Sequence, residues 1–366
     1  MTESGFTEAE RTRKALKARK QIEALDRELI QMLQTRVELS LKLSKLEDLD
    51  VEEEVRKVAE RAVHRCAGPS GAAFLNDVFR RLLTESRSIL EAETRMVGFQ
   101  GEHGAYGEVA SRMLVPGGAY MPCLEFVDVF NGVENGLFEL GVVPVENSLE
   151  GAVTQVNDLL TRTKLHVIGE VRVPIHHCLL APPGTRLEDI RIVYSHPQAL
   201  AQCRQFLLSR RLEARPFYDT AGAAKMIDRE RPQGSAAIAS ELCADLYGMD
   251  IVDQGIEDED SNTTRFQLIS ARPSKVPGDK CSIIFAVSHS AGALQSVLTL
   301  FSEAEINLTR IASTPRKGDL GNYTFFLDFE GSDQDPKIRR VLDEVAARSK
   351  QMLFLGCYPK WTPKKG

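Results

Sequence analysis

The chain holds one tryptophan among 366 residues and no apolar run of membrane-spanning length, so it offers no transmembrane helix. Its amino terminus is polar and lacks the basic-then-apolar order of a secretory signal. Positive charge is in deficit, with 46 Lys and Arg against 52 Asp and Glu and a net charge of −6. That balance excludes the basic face a nucleic-acid partner needs, and it leaves any anionic ligand to be met by local groups. Seven cysteines (Cys66, Cys123, Cys178, Cys203, Cys243, Cys281, Cys357) are scattered, odd in number and without a C-x-x-C pair. Such usage fits a reducing compartment, and a cytoplasmic location is expected. What remains, 43% hydrophobic and 27% charged, is an ordinary globular composition for two or three domains.

Periodicity divides the chain into an all-α region (1–94), an α/β region (95–273) and a final α+β unit (279–362). From Thr7 to about Asp48, Ile22, Leu25, Leu29, Met32, Leu39, Leu43 and Leu46 recur at three- and four-residue steps, a heptad-like seam with Arg36 in one position. Helical runs over Val55–Cys66 and Ala73–Ala92 complete a three-helix module, with the Ala67–Gly71 cluster as the break between them. After Arg95, short β-rich runs alternate with helical stretches at 106–114, 127–138, 152–161, 197–210 and 221–228, an α/β pattern in which two lobes exchange strands around Pro174 and Pro182–Gly184. A ligand site between the lobes is the natural expectation. The last unit reads β-α-β-β-α-β, a ferredoxin-like order, with a turn at 317–321.

Three short strings carry the chemistry: Val143–Gly151 (VPVENSLEG), Ser195–Ala199 (SHPQA) and Asn262–Phe266 (NTTRF). Each places polar side chains and free backbone N–H groups at an element end, where a small anion can be held. Read as structure alone, Asn147 with Glu150 caps a helix, and Ser195 with Gln198 forms a capping box with Pro197 in the first turn. Thr264 then starts a strand, Arg265 is a surface charge and Phe266 a core anchor. The loop Gly98–Gly107 follows a strand and opens a helix, but its glycines do not fit a dinucleotide fingerprint. His176 and His177 point to opposite faces if they lie on a strand, which argues against a shared metal.

The order, spacing and flanks of these strings, from about Met96 to Ser270, resemble the prephenate dehydratase family. The resemblance implies a two-lobed, periplasmic-binding-protein-like α/β catalytic domain that turns prephenate into phenylpyruvate, CO2 and water without metal or organic cofactor. It implies Thr264, Glu146 and Asn147 as catalytic residues, with Glu146 or water resupplying a proton to Thr264. Arg265 is expected to pair with a substrate carboxylate, and Phe266, Ser148, Ser195, His196, Gln202, Thr220, Gly104 and Tyr106 to line the substrate site. Gly107 stands where the family has a hydroxyl residue. Ala105–Tyr106 and Asp219–Gly222 suit a branch that includes arogenate dehydratases, so arogenate is the alternative substrate.

The all-α region resembles the chorismate mutase domain of bifunctional P-proteins. Arg19, Arg36 and Ser86 match its pocket, whereas Glu47, an acid within Glu52–Glu54 and Leu90 replace a lysine, an arginine and a glutamine. Reversing the local field around a dianion implies weak or absent mutase activity. A degenerate dimerisation module is the expected reading, with a retained bifunctional mutase and dehydratase as the alternative. The last unit resembles an ACT domain. Gly292, Ala293 and Leu294 match its phenylalanine-binding motif and Asn307 the following strand, while Ala312–Pro315 has lost the Glu and Arg of the companion motif. L-Phenylalanine is therefore the expected effector, and a homodimer or homotetramer the expected assembly, with neither nucleic acid nor membrane as partner. A non-catalytic amino-acid sensor is the alternative from a different class.

Overall fold

The computed structural model describes residues 7–47, 53, 54, 56, 57, 60, 72–92, 94–288, 290–315 and 323–362. The chain forms two compact units, Met1–Thr94 and Arg95–Gly366. In the first, helix α1 (Glu8–Ser44) starts at a capping box: Thr7 accepts from Glu10 N, and the Glu10 carboxylate accepts from Thr7 N at 2.8 Å. Helix α2 (Ala72–Glu91) packs beside it, burying Leu41 and Leu83 together with Ser40 and Ser86. The seam is not what this packing covers, because Ile22, Leu25, Leu29, Met32 and Leu39 each remain more than half exposed. The helical run expected over 55–66, the break at 67–71 and the turn at 317–321 lie largely or wholly outside the described residues. Among the described residues no helix is long and apolar enough to cross a membrane.

The described residues of the second unit form three sheets. Its chain order opens with β1 (Met96–Gln100), α3 (Tyr106–Leu114), β2 (Ala119–Cys123), α4 (Phe126–Glu134), β3 (Leu140–Asn147), β4 (Gly151–Ala152), α5 (Thr154–Leu160) and β5 (His166–Pro174). The chain then builds a second lobe from β6 (Cys178–Ala181), β7 (Ile192–Ser195), α6 (Pro197–Gln202), α7 (Arg204–Ser209), β8 (Glu213–Pro216), α8 (Thr220–Glu230), β9 (Ser235–Ala239), α9 (Glu241–Tyr247) and β10 (Asp250–Gln254). It returns to the first lobe as β11 (Thr263–Ser270), which inserts antiparallel between β3 and β5 in the sheet β2-β1-β3-β11-β5, with β4 on β3. The second sheet runs β10-β6-β9-β7-β8. Val97, Phe99, Val142, Val143 and Val145 are fully buried, as expected of strands covered on both faces.

The remaining elements are β12 (Lys280–Ala286), α10 (Ala293–Glu303), β13 (Leu308–Pro315), β14 (Tyr323–Glu330), α11 (Pro336–Arg348) and β15 (Gln351–Tyr358), an antiparallel sheet β13-β14-β12-β15. Ile283, Phe285, Leu327 and Phe329 on one face pack with Val297, Phe301, Ile338 and Val345 of the two helices. The opposite face lies on the first lobe, and β15 runs against β5. Gly356 at φ +153° makes that approach possible, since a Cβ there would overlap the Val167 carbonyl.

Two features depart from the sequence expectation. The helix expected over 197–210 breaks at Cys203, because Asp258 N donates to the Gln202 carbonyl at 2.6 Å and the Asp258 carboxylate caps Gln205 N at 3.0 Å. Strands β2 and β8, each with a proline, and the elements α9 and β10 were not foreseen; β2 and β8 are edge strands, where proline is tolerated.

Candidate active site

The ends of β3 and β11 meet with Asn147 opposite Thr264. Asn147 Oδ1 accepts from Leu149 N (2.9 Å) and Glu150 N (3.0 Å), closing the turn after β3. Its Nδ2 donates to Asn262 Oδ1 (2.7 Å) and to Thr264 Oγ1 (2.9 Å). The same side chain therefore caps a turn and holds a hydroxyl. A hydroxyl that already accepts from an amide keeps its own proton for another partner. Ser148 reinforces the junction: its N donates to Thr263 O, while its hydroxyl accepts from Thr263 N and donates to Ser261 O.

Thr264 and Asn147 open on a cavity of about 170 Å³ that the second lobe completes with His177, His196, Gln198, Gln202 and Thr220. Tyr106 lines this cavity and an adjoining one of about 260 Å³, which also reaches Phe266, Tyr218 and Asp219. His196 caps α6, its Nδ1 accepting from Gln198 N at 3.3 Å, so the neutral ring carries its proton on Nε2. His177 Nε2 lies 2.8 Å from Gln202 Oε1, and its Nδ1 lies 3.3 Å from the Tyr106 hydroxyl, which donates to His176 O at 2.5 Å. Burial holds the His177 pKa below that of a free imidazole. Asp219 caps α8 through Gly222 N at 2.7 Å, and burial raises its pKa. Among the described residues no Lys or Arg lines either cavity.

Several expected site residues stand elsewhere, and strand alternation explains the two most important. Thr264 and Phe266 face the cavities, so Arg265 between them faces the ACT-like sheet. There it is 2% exposed, with Nε 2.8 Å from Glu170, Nη1 2.5 Å from Asp328 and Nη2 3.2 Å from the Tyr358 hydroxyl. Its guanidinium is consumed, and the expected pairing with a substrate carboxylate is corrected. Glu146 likewise faces away from Asn147, toward Arg310 (3.5 Å) and Arg265 (3.8 Å), and does not adjoin the Thr264 hydroxyl. Ser195 is fully buried and donates to Ile238 O at 2.6 Å; His196, not Ser195, is the helix cap.

Gly104 touches neither cavity. It sits at φ +90° with its carbonyl accepting from Ser240 Oγ, and a Cβ there would collide with Cys243 of the second lobe. Glu108 organises this loop, taking Gly104 N (2.9 Å), His103 Nδ1 (3.0 Å) and Arg112. The sequence reading weighed His177 only as a metal ligand. His176 and His177 lie in the connection between β5 and β6 and not on a strand; His176 turns out to Glu257 at 2.7 Å, and His177 is the one at the cavity.

In the first unit Arg36 bonds to Ser40 of its own helix, Ser86 Oγ donates to Leu82 O and Arg19 is exposed. Seventeen residues along α1 put Arg19 and Arg36 roughly 25 Å apart, so one chain does not bring them into one small pocket. In the ACT-like unit Gly292 caps the start of α10 at φ +82°, ahead of Ala293 and Leu294, whereas Asn307 follows its other end and donates to Glu330.

Comparison with known proteins agrees with this architecture. The prephenate dehydratase family model matches residues 97–274 and the ACT domain model residues 282–347. Arogenate dehydratase/prephenate dehydratase 2, chloroplastic, of Arabidopsis thaliana is 40% identical over 290 residues, covering 76% of this chain and 75% of that protein. A bifunctional N-acyl-homoserine lactone acylase/prephenate dehydratase of Komagataeibacter europaeus is 37% identical over 269 residues, covering 72% and 96%. The crystal structure of prephenate dehydratase from Arthrobacter aurescens in complex with L-Phe superposes with a TM-score of 0.66 at 31% identity, covering 72% of this chain and 90% of that one. With a relative 40% identical over about three quarters of its length, this chain belongs to the prephenate dehydratase family.

Proposed function

We propose that this protein converts prephenate to phenylpyruvate, CO2 and water, with the Thr264 hydroxyl as hydrogen-bond donor to the departing ring hydroxyl. The ring carboxylate leaves as CO2, its bonding electrons aromatise the ring, and the ring C–O bond breaks. The departing oxygen takes a proton to become water. Charge builds on that oxygen, and a donor positioned for it stabilises the transition state more than the ground state. The single observation that carries this role is the Asn147 Nδ2–H to Thr264 Oγ1 bond, which leaves the threonine proton for the cavity. With Glu146 turned away, solvent is the source of the proton that completes the water.

Arg265 is unavailable, so the substrate carboxylates fall to neutral donors and one titratable group: His196 Nε2–H, the Thr220 hydroxyl and the side-chain amides of Gln198 and Gln202. Arogenate, which carries an ammonium where prephenate carries a ketone, is a second reading. The Asp219 carboxylate at the wall of the larger cavity favours it as a partner for that cation. Assaying the purified chain separately with prephenate, arogenate and chorismate tests these readings. Turnover of neither prephenate nor arogenate refutes the assignment.

The helical unit we read as a degenerate mutase-like module that pairs two chains. Its exposed seam supports this, as does the separation of Arg19 from Arg36 on one helix. The expected phenylalanine site points the same way. Gly292 and Asn307 flank opposite ends of α10, about 16 Å long, so only two copies can bring both motifs to one small amino acid.

A further inference from the structure

The reactive strand pair ends in Thr264 and Asn147, yet both strands are gripped from behind by the C-terminal sheet. Arg265 of β11 and Glu170 of β5 meet Lys280 and Ser282 of β12, Asp328 of β14 and Tyr358 of β15. None of the six is more than 5% exposed. Donors and acceptors close a ring: Arg265 donates to Tyr358 Oη, Tyr358 to Ser282 Oγ (2.6 Å), Ser282 to Asp328 Oδ1 (2.6 Å), and Asp328 accepts from Arg265 in turn. Lys280 Nζ, 2.8 and 2.9 Å from the two Glu170 oxygens, leaves two cations against two anions. Burial alone would raise the Asp328 pKa, but Arg265 and Arg310 beside it hold it below the ordinary value, so Asp328 stays ionised.

A second grip falls on β3. Its register against β11 slips between Arg265 and Phe266, leaving Val145 as the bulged residue, and Arg310 of β13 donates to the Val145 carbonyl at 3.3 Å. One contact thus lies directly behind Thr264, and the other two residues before Asn147.

We propose that the C-terminal sheet sets the alignment of the reacting hydroxyl: Arg265, Asp328 and Arg310 are positioning residues that fix Thr264 against Asn147, and the ACT domain is a working part of the catalytic site. A buried ion pair has two discrete states, made or broken, and a strand clamped at one residue delivers that difference to the next. Displacement of a reacting group by 1 Å costs on the order of 100-fold in rate. The proposal rests on Thr264 being the donor, and Thr264→Ala tests that separately.

The decisive measurement is kcat and KM for prephenate, with thermal melting, on full-length Asp328→Asn and Tyr358→Phe. Asp328→Asn keeps the shape and removes the charge; Tyr358→Phe opens the hydrogen-bond ring without leaving a charge unpaired, so it decides the question if Asp328→Asn does not fold. The expected result is a fall in kcat of about 10-fold or more for Asp328→Asn and about 3-fold for Tyr358→Phe. KM should stay within about twofold for both, because the substrate-lining groups are untouched. Asp343→Ala on the outer face of α11 serves as the unchanged control. Folded variants with wild-type kcat, or with a raised KM alone, overturn the proposal. If those variants behave as expected while Thr264→Ala remains active, the donor reading fails and the proposal with it; if Thr264→Ala is inactive and both ring variants are normal, only the proposal fails.

Discussion

Asn147 holds Thr264 with the nitrogen of its amide and the turn after β3 with the oxygen, at 2.9 Å in each direction. Capping and orienting are thus separable by chemistry. Asn147→Asp keeps an oxygen for Leu149 N and Glu150 N but replaces the donor by a carboxylate, which takes the Thr264 proton for itself. The expected outcome is a folded protein with a melting temperature near wild type and kcat reduced about 100-fold or more, measured at saturating prephenate. Near-normal turnover would show that the orientation of the hydroxyl is immaterial.

Thr264→Ala removes the donor outright. General-acid or donor assistance of this type is worth roughly 100- to 10,000-fold, and kcat should fall within that range with little change in KM. Thr264→Ser keeps the hydroxyl and gives back most of the activity, although the freer serine rotamer lowers it somewhat. An alanine variant that turns over at the wild-type rate is incompatible with the mechanism.

His177 predicts a pH dependence of stability. Its folded-state pKa is depressed chiefly by burial, whereas the unfolded chain takes up that proton near the ordinary value of 6.5. Between the two values the unfolded state binds more protons, so stability falls as pH drops below about 6.5 and levels off once the folded-state pKa is passed; above 6.5 the group contributes no slope. Denaturant titrations at pH 7.5 and 5 should show this loss, and His177→Gln should shrink it. Equal slopes in the two proteins would remove His177 as the cause.

Where local pattern was strong, the sequence was readable. The helix Tyr106–Leu114 was expected at those bounds, because its apolar spacing and the glycine-rich loop before it speak with one voice. The β-α-β-β-α-β order of the last unit was legible for the same reason. The break at Cys203 was not, since it is made by Asp258, distant in sequence, occupying a carbonyl that the local pattern assigns to a continuous helix. The directions of Glu146 and Arg265 fall between these cases. Alternation requires Arg265 to oppose Thr264, but which face is the cleft depends on where a domain tens of residues away packs.

Asp219 offers a test of substrate choice. It lines the larger cavity, and its cap to Gly222 N leaves a carboxylate that burial has made unfavourable to ionise. An ammonium beside it would relieve that cost, whereas a ketone would not. Asp219→Asn preserves the cap, since asparagine serves that position as well as aspartate. A hydrogen bond to a charged group is worth about 1.5–3 kcal/mol, so kcat/KM for arogenate should drop about 10- to 100-fold relative to prephenate. Measuring both substrates on wild type and variant isolates the effect as a ratio, free of differences in active fraction. A ratio unmoved by the substitution would place the substrate's side chain away from α8 and leave His196 and the glutamine amides to read it.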